Sequence, residues 1–308
     1  MSEDYPRTVL ELERRFADEA ACRAYLAALR WPDGFICPAC GGREAWLTAR
    51  GLWLCARCRR QVSATAGTLF QDSHLPLVVW FRAIWYVTSQ KNGVSAAGLQ
   101  RALGLGSYKI AWALLHKLRR AMVRPGRERL SGLVEVDESY LGATEIGAVG
   151  RHTERKAILL VAAEARGRGT GRVRLRRTPD LTTRSLHGFI GAMIEPGSTV
   201  RTDGLKEYTG LVGYVHDRQF QRDQPPGEHL QPRVHRTVSL LKRWLLGTHQ
   251  GAVSHQHLDY YLDEFTFRFN RRTSASRGKL FYRLIQQATQ VGPAPVATIL
   301  KPQDVGGG

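Results

Sequence analysis

The feature that most constrains this chain is a pair of two-cysteine motifs near its N-terminus. Cys37 and Cys40 form the first motif, Cys55 and Cys58 form the second, and fourteen residues separate them. Each motif bends the backbone so that two thiolates converge, and together they supply the tetrahedral four-sulfur set that zinc prefers. Residues 35–65 hold little else that could form a core. We therefore predict a zinc ribbon in which a structural Zn²⁺ replaces that core.

The alternatives to a zinc ribbon are a redox pair and a chance spacing of cysteines. Five cysteines in a chain expected in the cytosol indicate metal binding or free thiols rather than disulfides. The fifth, Cys22, lies on the apolar side of a helix predicted over residues 8–29, so we expect a small buried hydrophobe there. Arg57, Arg59 and Arg60 surround the second motif. Such a ribbon can dock on DNA or on another protein.

The charge balance indicates a polyanionic partner. The 308 residues include 45 lysines and arginines against 27 aspartates and glutamates, which gives a formal charge of +18. A chain this basic attracts polyanions, and duplex DNA is the densest common one. No run approaches the ~20 apolar residues of a membrane-spanning helix, and the acidic start is unlike a signal peptide. We expect double-stranded DNA as a partner, no membrane association and a cytoplasmic, nucleoid-associated protein.

Two predicted helices joined by a glycine turn follow the ribbon. Ser95 is suited to cap the first helix, Gly104 and Gly106 lie in the turn, and the second helix covers residues 107–122. This arrangement predicts a helix-turn-helix region that binds DNA. An ordinary helical hairpin with a solvated charged face is the alternative. The candidate DNA-binding side chains on the second helix are Lys109, Lys117, Arg119 and Arg120.

From Gly132 onward the hydrophobic pattern is that of alternating strands and helices, which predicts an α/β domain. The predicted strands are 133–141, 157–165, 172–177 and 199–203. The predicted helices are 182–194, 234–246 and 257–272.

Two aspartates on these strands are candidates for metal-dependent chemistry. Asp137 lies at the centre of the first strand, with Val134 and Val136 on the opposite face, and Asp203 ends the fourth strand. Strand-borne carboxylates can hold a divalent ion between them, and oxygen ligands suit Mg²⁺ and Mn²⁺. Two such ions can act on a phosphodiester. Taken alone, either aspartate could equally be a turn residue or a surface group.

Five runs in the chain make a family resemblance visible. They are RWPDGFICPAC, VEVDESYLG, TDGLKEY, SLLKRWLLGTH and HLDYYLDEFTFRFNRR. Over residues 10–285 the chain resembles the zinc-ribbon insertion-sequence transposases whose catalytic part is an ISXO-like domain of the DDE superfamily. The resemblance implies a ribonuclease-H-like fold, with the first catalytic aspartate on the first strand and the second on the fourth.

The same resemblance assigns the catalytic positions. Asp137 and Asp203 match the two aspartates, and the third metal ligand lies on a later helix, seven residues before a lysine. Counting back from Lys242 gives His235, a departure from the usual carboxylate triad. Imidazole ligates metals but carries no negative charge, so the second Mg²⁺ or Mn²⁺ should bind more weakly. Because the two residues are two helical turns apart, Lys242 should face the substrate from the same side as His235.

These observations give a multidomain α/β architecture with an N-terminal zinc ribbon, a helix-turn-helix region and a C-terminal ribonuclease-H-like (DDE transposase) domain. The expected boundaries are a helical lead at 1–30, the ribbon at 31–70, the helix-turn-helix region at 71–125, the transposase domain at 131–290 and a flexible tail at 291–308. Further candidate DNA-binding residues on the last two predicted helices are Arg243, Arg271 and Arg272.

The expected activity is that of a bacterial insertion-sequence transposase that binds terminal inverted repeats, cleaves the element's ends and joins them to target DNA. Since two ends must be handled together, a homo-oligomer is expected. Three alternatives stay open at this point. They are a domesticated DNA-binding protein without chemistry, a metal-dependent nuclease that never joins strands, and a zinc-ribbon transcription factor, which would leave the α/β half unexplained.

Overall fold

The structure is a computed structural model that describes residues 3–124, 126–142, 156–223, 225, 230–251 and 253–300. The strands are β1 (Ala45–Leu47), β2 (Trp53–Cys55), β3 (Gln61–Val62), β4 (Leu133–Leu141), β5 (Ala157–Arg166), β6 (Gly169–Thr178), β7 (Thr199–Thr202) and β8 (Val215–Arg218). The helices are α1 (Val9–Arg15), α2 (Glu19–Arg30), α3 (Leu77–Ser89), α4 (Ala96–Leu103), α5 (Tyr108–Ala121), α6 (Thr183–Met193), α7 (Pro232–His249), α8 (Leu258–Asn270), α9 (Arg277–Gln290) and α10 (Val296–Leu300).

The chain divides into two compact units. The first runs to Arg124 and resumes at Thr273, and the second lies between them and ends at Arg272. The first unit contains the small β1-β2-β3 sheet and seven helices of the described chain, α1–α5, α9 and α10. The second contains a five-stranded sheet with α6, α7 and α8.

The core of the first unit is aromatic and joins its two chain segments. Phe281 of α9 packs at 5.8 Å, centroid to centroid, from both Phe81 and Trp85 of α3. Phe81 is also in edge contact with Phe16 at 4.7 Å. Because α9 buries its apolar side here, it belongs to the first unit, whereas the sequence placed everything up to residue 290 in the transposase domain.

The five-stranded sheet of the second unit is mixed, with strand order β6-β5-β4-β7-β8. The β6–β5 and β5–β4 pairs are antiparallel, and the β4–β7 and β7–β8 pairs are parallel. The predicted mixed α/β domain is therefore present. Its first strand, β4, lies at the centre of the sheet, where it is paired on both sides.

Strand alternation divides the apolar residues of this unit into two layers. On one face, Val134 and Val136 of β4 join Phe189 and Ile190 of α6 in one buried cluster. On the other face, residues such as Val161 of β5 pack under α7 and α8. Helices therefore cover both faces of the sheet, as its parallel pairs require.

Three details differ from the sequence predictions. The N-terminal helical lead is two helices, because Asp18 caps α2 by accepting from the Ala21 N–H at 2.8 Å. Strand β8 was not predicted, since its two exposed and two half-buried residues show no alternation of apolar and polar side chains. The tail predicted to be flexible contains α10, which is anchored by the fully buried Ile299; residues 301–308 lie outside the described part of the chain.

The outer edge of β6 is paired by side chains from the end of α8. The Val173 N–H donates to Asn270 Oδ1 at 2.7 Å, and Asn270 Nδ2 donates to the Val173 carbonyl at 3.1 Å. Arg272 continues this pairing by donating to the carbonyls of Gly171, at 3.2 Å, and Thr170. A side chain thus imitates a neighbouring strand and protects an edge that would otherwise be open to another chain.

We predict that Asn270→Ala lowers the free energy of unfolding by about 1–3 kcal/mol, because it leaves both polar groups of Val173 without their partner. Asn270→Asp keeps the acceptor and loses the donor, so it should fall between Ala and the wild type. Urea unfolding followed by circular dichroism measures both variants. Wild-type stability in Asn270→Ala would contradict this account of the β6 edge.

Candidate functional site: a carboxylate cluster and a four-cysteine cluster

Parallel strand pairing brings the two predicted aspartates together. In the β4–β7 ladder, Glu135 lies opposite Arg201, and the same register carried two residues further sets Asp137 beside Asp203. Asp137 lies on β4, the first strand of the five-stranded sheet, and Asp203 directly follows β7, the fourth. Asp137, in the middle of β4, consequently lies beside Asp203, which directly follows β7.

Glu138 is a third member of this cluster, and the sequence analysis did not identify it. Carboxylate oxygens of Asp137, Glu138 and Asp203 all lie within 4.8 Å of one another. Strand alternation put Glu138 on the face opposite Asp137, so only the three-dimensional structure shows that its side chain reaches the cluster. The signal available in the sequence was the adjacency of the two acidic residues.

Neighbouring hydrogen bonds hold the three carboxylates in place. The Glu138 N–H donates to Asp137 Oδ1 at 2.8 Å, and the Leu205 N–H donates to Asp203 Oδ1 at 3.0 Å. The hydroxyl of Tyr208, a fully buried residue, donates to Glu138 Oε2 at 3.3 Å. The cluster is thus anchored by backbone and by a buried phenol.

The electrostatics of the cluster favour a bound cation. Burial, and then the negative charges of Glu138 and Asp203, raise the pKa of Asp137 to about 7. Three converging carboxylates are the oxygen donor set that Mg²⁺ and Mn²⁺ prefer, and a cation would remove the repulsion among them. The donor set therefore fits the divalent metal that the sequence predicted.

The predicted third ligand, His235, lies on the first turns of α7 with an exposed side chain. It is not among the residues whose ligand atoms lie within 4.8 Å of one another in the carboxylate cluster. Lys242 is two turns further along the same helix and is also exposed. The roles of both residues stay predictions.

A buried ion pair fixes the start of α7 against β4. Glu135 is fully buried, and Arg233 Nη1 donates to its Oε1 at 2.5 Å. Glu135 Oε2 accepts from the N–H groups of Arg233, at 2.7 Å, and Val234, at 3.3 Å, so the carboxylate also caps the helix. Because Glu135 and Asp137 share a strand face, this pair anchors α7 on the face that carries Asp137.

The four cysteines of the predicted ribbon converge in the first unit. All four sulfurs lie within 4.8 Å of one another, and the Sγ–Sγ distances are 3.6 Å for both Cys37–Cys58 and Cys40–Cys55. Four thiolates at the ordinary Zn–S bond length of ~2.3 Å lie about 3.8 Å apart in a tetrahedron. The cluster therefore fits a structural Zn²⁺.

The local backbone of the ribbon explains this convergence. The Gly41 N–H donates to the Cys37 carbonyl in a turn with Gly41 at φ +70°, a conformation that glycine adopts without strain. The N–H of Ala39 donates to the Cys37 thiolate and lowers the pKa of Cys37 to about 6. Hydrogen bonding with the Cys58 thiol raises the pKa of Cys40, so Cys37 ionises before Cys40 does.

The basic side chains predicted on α5 divide by exposure. Lys109 and Arg120 are exposed, and Lys117 is half-buried. Arg119 is only 1% exposed and its Nη1 lies 3.2 Å from Nε2 of the buried His116. This corrects the assignment of Arg119 to a DNA surface, because its guanidinium is packed inside the first unit and does not face solvent.

The basic side chains predicted near the catalytic domain also differ in their surroundings. Arg243 is exposed on α7. Arg271 lies over the Phe267 ring at 4.1 Å and donates to the Phe267 carbonyl at 3.3 Å. Arg272 lies over the Phe269 ring at 4.1 Å and bonds the β6 edge. Arg271 and Arg272 therefore both have partners within the protein. Their contact with DNA stays a prediction.

We predict that the affinity of the full chain for Mn²⁺ rises with pH up to about 7 and then levels off. The raised pKa means that Asp137 keeps its proton below pH 7 and must release it to bind a cation, which costs about tenfold in affinity per pH unit. Calorimetric titration from pH 5.5 to 8.5 measures this slope. Asp137→Asn should remove it, and Glu195→Gln, an exposed residue outside the cluster, should leave it unchanged. A flat profile in the wild type would contradict the prediction.

We predict about one zinc per chain, lost in Cys55→Ala and retained in Cys22→Ala. Cys55 is a cluster member, whereas Cys22 is buried elsewhere in the first unit, where burial raises its pKa to about 12. Metal content by atomic emission and thermal unfolding with and without a chelator measure this. Equal zinc in both variants would exclude the four-cysteine site.

Comparison with known families agrees with both clusters. Residues 129–270, which include the whole five-stranded sheet, match the family described as ISXO2-like transposase domain. Residues 17–61, which include all four clustered cysteines, match the family described as transposase zinc-ribbon domain.

Individual relatives are more distant. The chain is 28% identical over 282 residues to an uncharacterized protein in transposable element ISH50 from Halobacterium salinarum, covering 83% of this chain and 92% of that one. A solved structure, the catalytic core domain of BIV integrase, is 17% identical with a TM-score of 0.33, covering 48% of this chain and 89% of that one.

Within the described part of the chain, every helix is too short or too polar to cross a membrane. Both family matches lie in the order that the sequence predicted, the ribbon before the α/β domain. The chain therefore contains a transposase zinc-ribbon domain followed by an ISXO2-like transposase domain.

Proposed function

We propose that this chain is the DNA transposase of a bacterial insertion sequence, which binds the element's terminal inverted repeats and catalyses metal-dependent strand cleavage and strand transfer. The observation that carries the proposal is the cluster that Asp137 and Glu138 of β4 form with Asp203, the residue after the neighbouring parallel strand β7, in a domain that matches a transposase family. A formal charge of +18 is consistent with a DNA substrate.

The catalytic domain is proposed to be ribonuclease-H-like. Its strand order places three antiparallel strands first and adds two parallel strands on the other side of the first one. That arrangement puts the first and fourth strands side by side. It accounts for an active site built from two strands that are more than fifty residues apart in the sequence.

The residues of the cluster have separable roles in this proposal. Asp137, Glu138 and Asp203 hold divalent cations, and these ions, when bound, activate the attacking oxygen and stabilise the leaving oxygen of the phosphodiester. Water attacks the phosphodiester at the element's end and displaces the 3′ oxygen as a free hydroxyl. That 3′ hydroxyl then attacks a phosphodiester of the target DNA, and the bond that breaks releases a 3′ hydroxyl of the target strand. The chain contributes ligands rather than a nucleophile, so no covalent enzyme intermediate forms.

Helix α7 is proposed to complete the site from the side of His235 and Lys242. The buried Glu135–Arg233 pair anchors the helix start two residues before His235. His235 would act as a further metal ligand, and Lys242 as a positive donor to a substrate phosphate. Glu138 gives the cluster a third negative charge, so His235 is not required to make up the full donor set.

DNA recognition is proposed to fall to the first unit. Helices α4 and α5 are joined by a turn in which Gly104 has φ +62°, and Lys109 and Arg120 on α5 are exposed. Ser107 caps α5 by accepting from the Ile110 N–H at 3.3 Å, next to Lys109 in the first turn. If α4 and α5 form a helix-turn-helix motif, they would bind the inverted repeats together with the zinc ribbon. Handling two ends at once requires a homo-oligomer.

Strand transfer is the test of this function. Full-length protein is mixed with a labelled duplex carrying the terminal sequence that flanks its coding region, a plasmid target, and Mg²⁺ or Mn²⁺. We expect metal-dependent joined product, reduced at least a hundredfold in Asp137→Asn and Asp203→Asn because each loses a cation ligand. Glu195→Gln serves as the matched control for removal of an acidic charge.

The same assay separates the roles of His235 and Glu138. If His235 ligates metal, His235→Ala should raise the Mn²⁺ concentration needed for half-maximal joining, and Glu138→Gln should do the same if the third carboxylate is a ligand. Cleavage without joining would indicate a nuclease. Tight end binding without cleavage in either metal would indicate a DNA-binding protein that lacks the activity.

A further inference from the structure

A cavity of about 490 Å³ opens beside Asp203. It lies within the second unit and is lined by cluster residue Asp203 and by Gly204, Lys206, Glu207 and Phe220. Its volume falls in the range of about 300–1,000 Å³ that is typical of small-ligand pockets. A substrate held at the carboxylate cluster would therefore have a built recess next to its reacting phosphate.

Phe220 forms one wall of this cavity and packs directly on Gly204. A Cβ added at Gly204 would lie 2.6 and 2.7 Å from Phe220 Cδ1 and Cε1, closer than real carbon contacts allow. Only glycine at this position lets the aromatic ring lie against the backbone next to Asp203. The ring is thus placed by the same loop that carries the catalytic carboxylate.

Two arginines accompany the ring. The guanidinium carbons of Arg218 and Arg222 lie 5.0 and 4.9 Å from the Phe220 centroid, and both side chains are exposed. Arg218 also donates to the Gly204 carbonyl. Both guanidinium groups lie over the ring. Nucleobases stack on aromatic rings and on guanidinium planes, so the three side chains together form a stacking surface, and the positive charges attract the adjoining phosphates.

Glu207 also lines the cavity and carries a hydrogen-bond acceptor. Its Oε2 atom is almost inaccessible to solvent and has no hydrogen-bond partner among the residues that the structure describes, so a ligand in the cavity meets it after the Glu207 side chain rotates. A buried carboxylate oxygen without a donor costs free energy, and a ligand that brings an N–H group would offset that cost. The exocyclic amino groups of adenine, cytosine and guanine are such donors, whereas thymine has no exocyclic amino group.

We propose that this cavity binds one unpaired nucleobase of the DNA strand next to the scissile phosphate, with the base stacked on Phe220 and its exocyclic amino group donating to Glu207. The inference rests on the proposed function, because it takes DNA as the substrate of the neighbouring carboxylate cluster. Taking a base out of the duplex frees the backbone to bend into the site, and stacking compensates for the lost pairing.

The experiment uses full-length protein and duplexes that carry one unpaired 2-aminopurine, placed in turn at each position near a strand end. Emission of the probe reports stacking, and fluorescence anisotropy reports affinity, both without added divalent ion. We expect quenching at one position. Phe220→Ala should remove it and weaken binding of that duplex about tenfold, whereas Phe220→Tyr should retain both. Val212→Ala, which truncates an exposed aliphatic residue in the same unit, should match the wild type.

Two further variants test the details of the site. Gly204→Ala should remove quenching as Phe220→Ala does, because the added methyl group displaces the ring. Glu207→Gln should shift the preferred unpaired base towards thymine, since the amide can donate to the thymine O4 atom. Thermal unfolding verifies that each variant is folded. If Phe220→Ala does not fold, the comparison of Phe220→Tyr with the wild type still tests the proposal.

Absence of quenching at every position in the wild type, or quenching that persists in folded Phe220→Ala, would overturn the proposal. Because the emission assay needs no cleavage or joining, this failure is distinct from failure of the strand-transfer test. If the wild-type protein joins strands but never quenches the probe, the proposed function stands and the base-binding proposal is wrong.

Discussion

The parallel pairing of β4 with β7 is the constraint on which the carboxylate cluster depends. Asp137 and Asp203 are far apart in the sequence. They can form one metal site only when the two strands lie side by side in this register. Parallel neighbours cannot be joined by a short turn, so the chain between them forms β5, β6 and α6 before it returns. The antiparallel half of the sheet and the helix that covers it are consequences of that return.

Glu135 and Asp137 lie on the same face of β4, but their negative charges have opposite environments. Glu135 is fully buried but bonded to Arg233 and to two backbone N–H groups, so its charge is compensated within the fold. Asp137 faces Glu138 and Asp203 instead, and its pKa is raised to about 7. A bound divalent cation would neutralise the three converging carboxylates.

Sequence patterns predicted most elements of the second unit, because β4, β5, β6 and α6 are long and have clear apolar periodicity. Asp137 and Asp203 could be identified from strand position and family resemblance. Glu138 could not be identified in this way, because strand alternation predicts that it lies on the face opposite Asp137. Only the three-dimensional structure shows that its carboxylate lies within 4.8 Å of those of Asp137 and Asp203. The packing of α9 against α3 could not be predicted from the sequence. An apolar helix face does not specify which other helix it packs against.

Only part of the positive charge of the chain faces solvent. Arg119 is buried in the first unit, Arg233 neutralises Glu135, and Arg272 bonds the carbonyls at the β6 edge. Arginine suits such positions because its planar guanidinium offers five donors to fixed acceptors and stacks on rings. A count of basic residues therefore overstates the surface field. The charges that face solvent, such as Lys109 and Arg243, contribute to that field. Arg218 and Arg222 are also exposed, and both lie over the ring of Phe220.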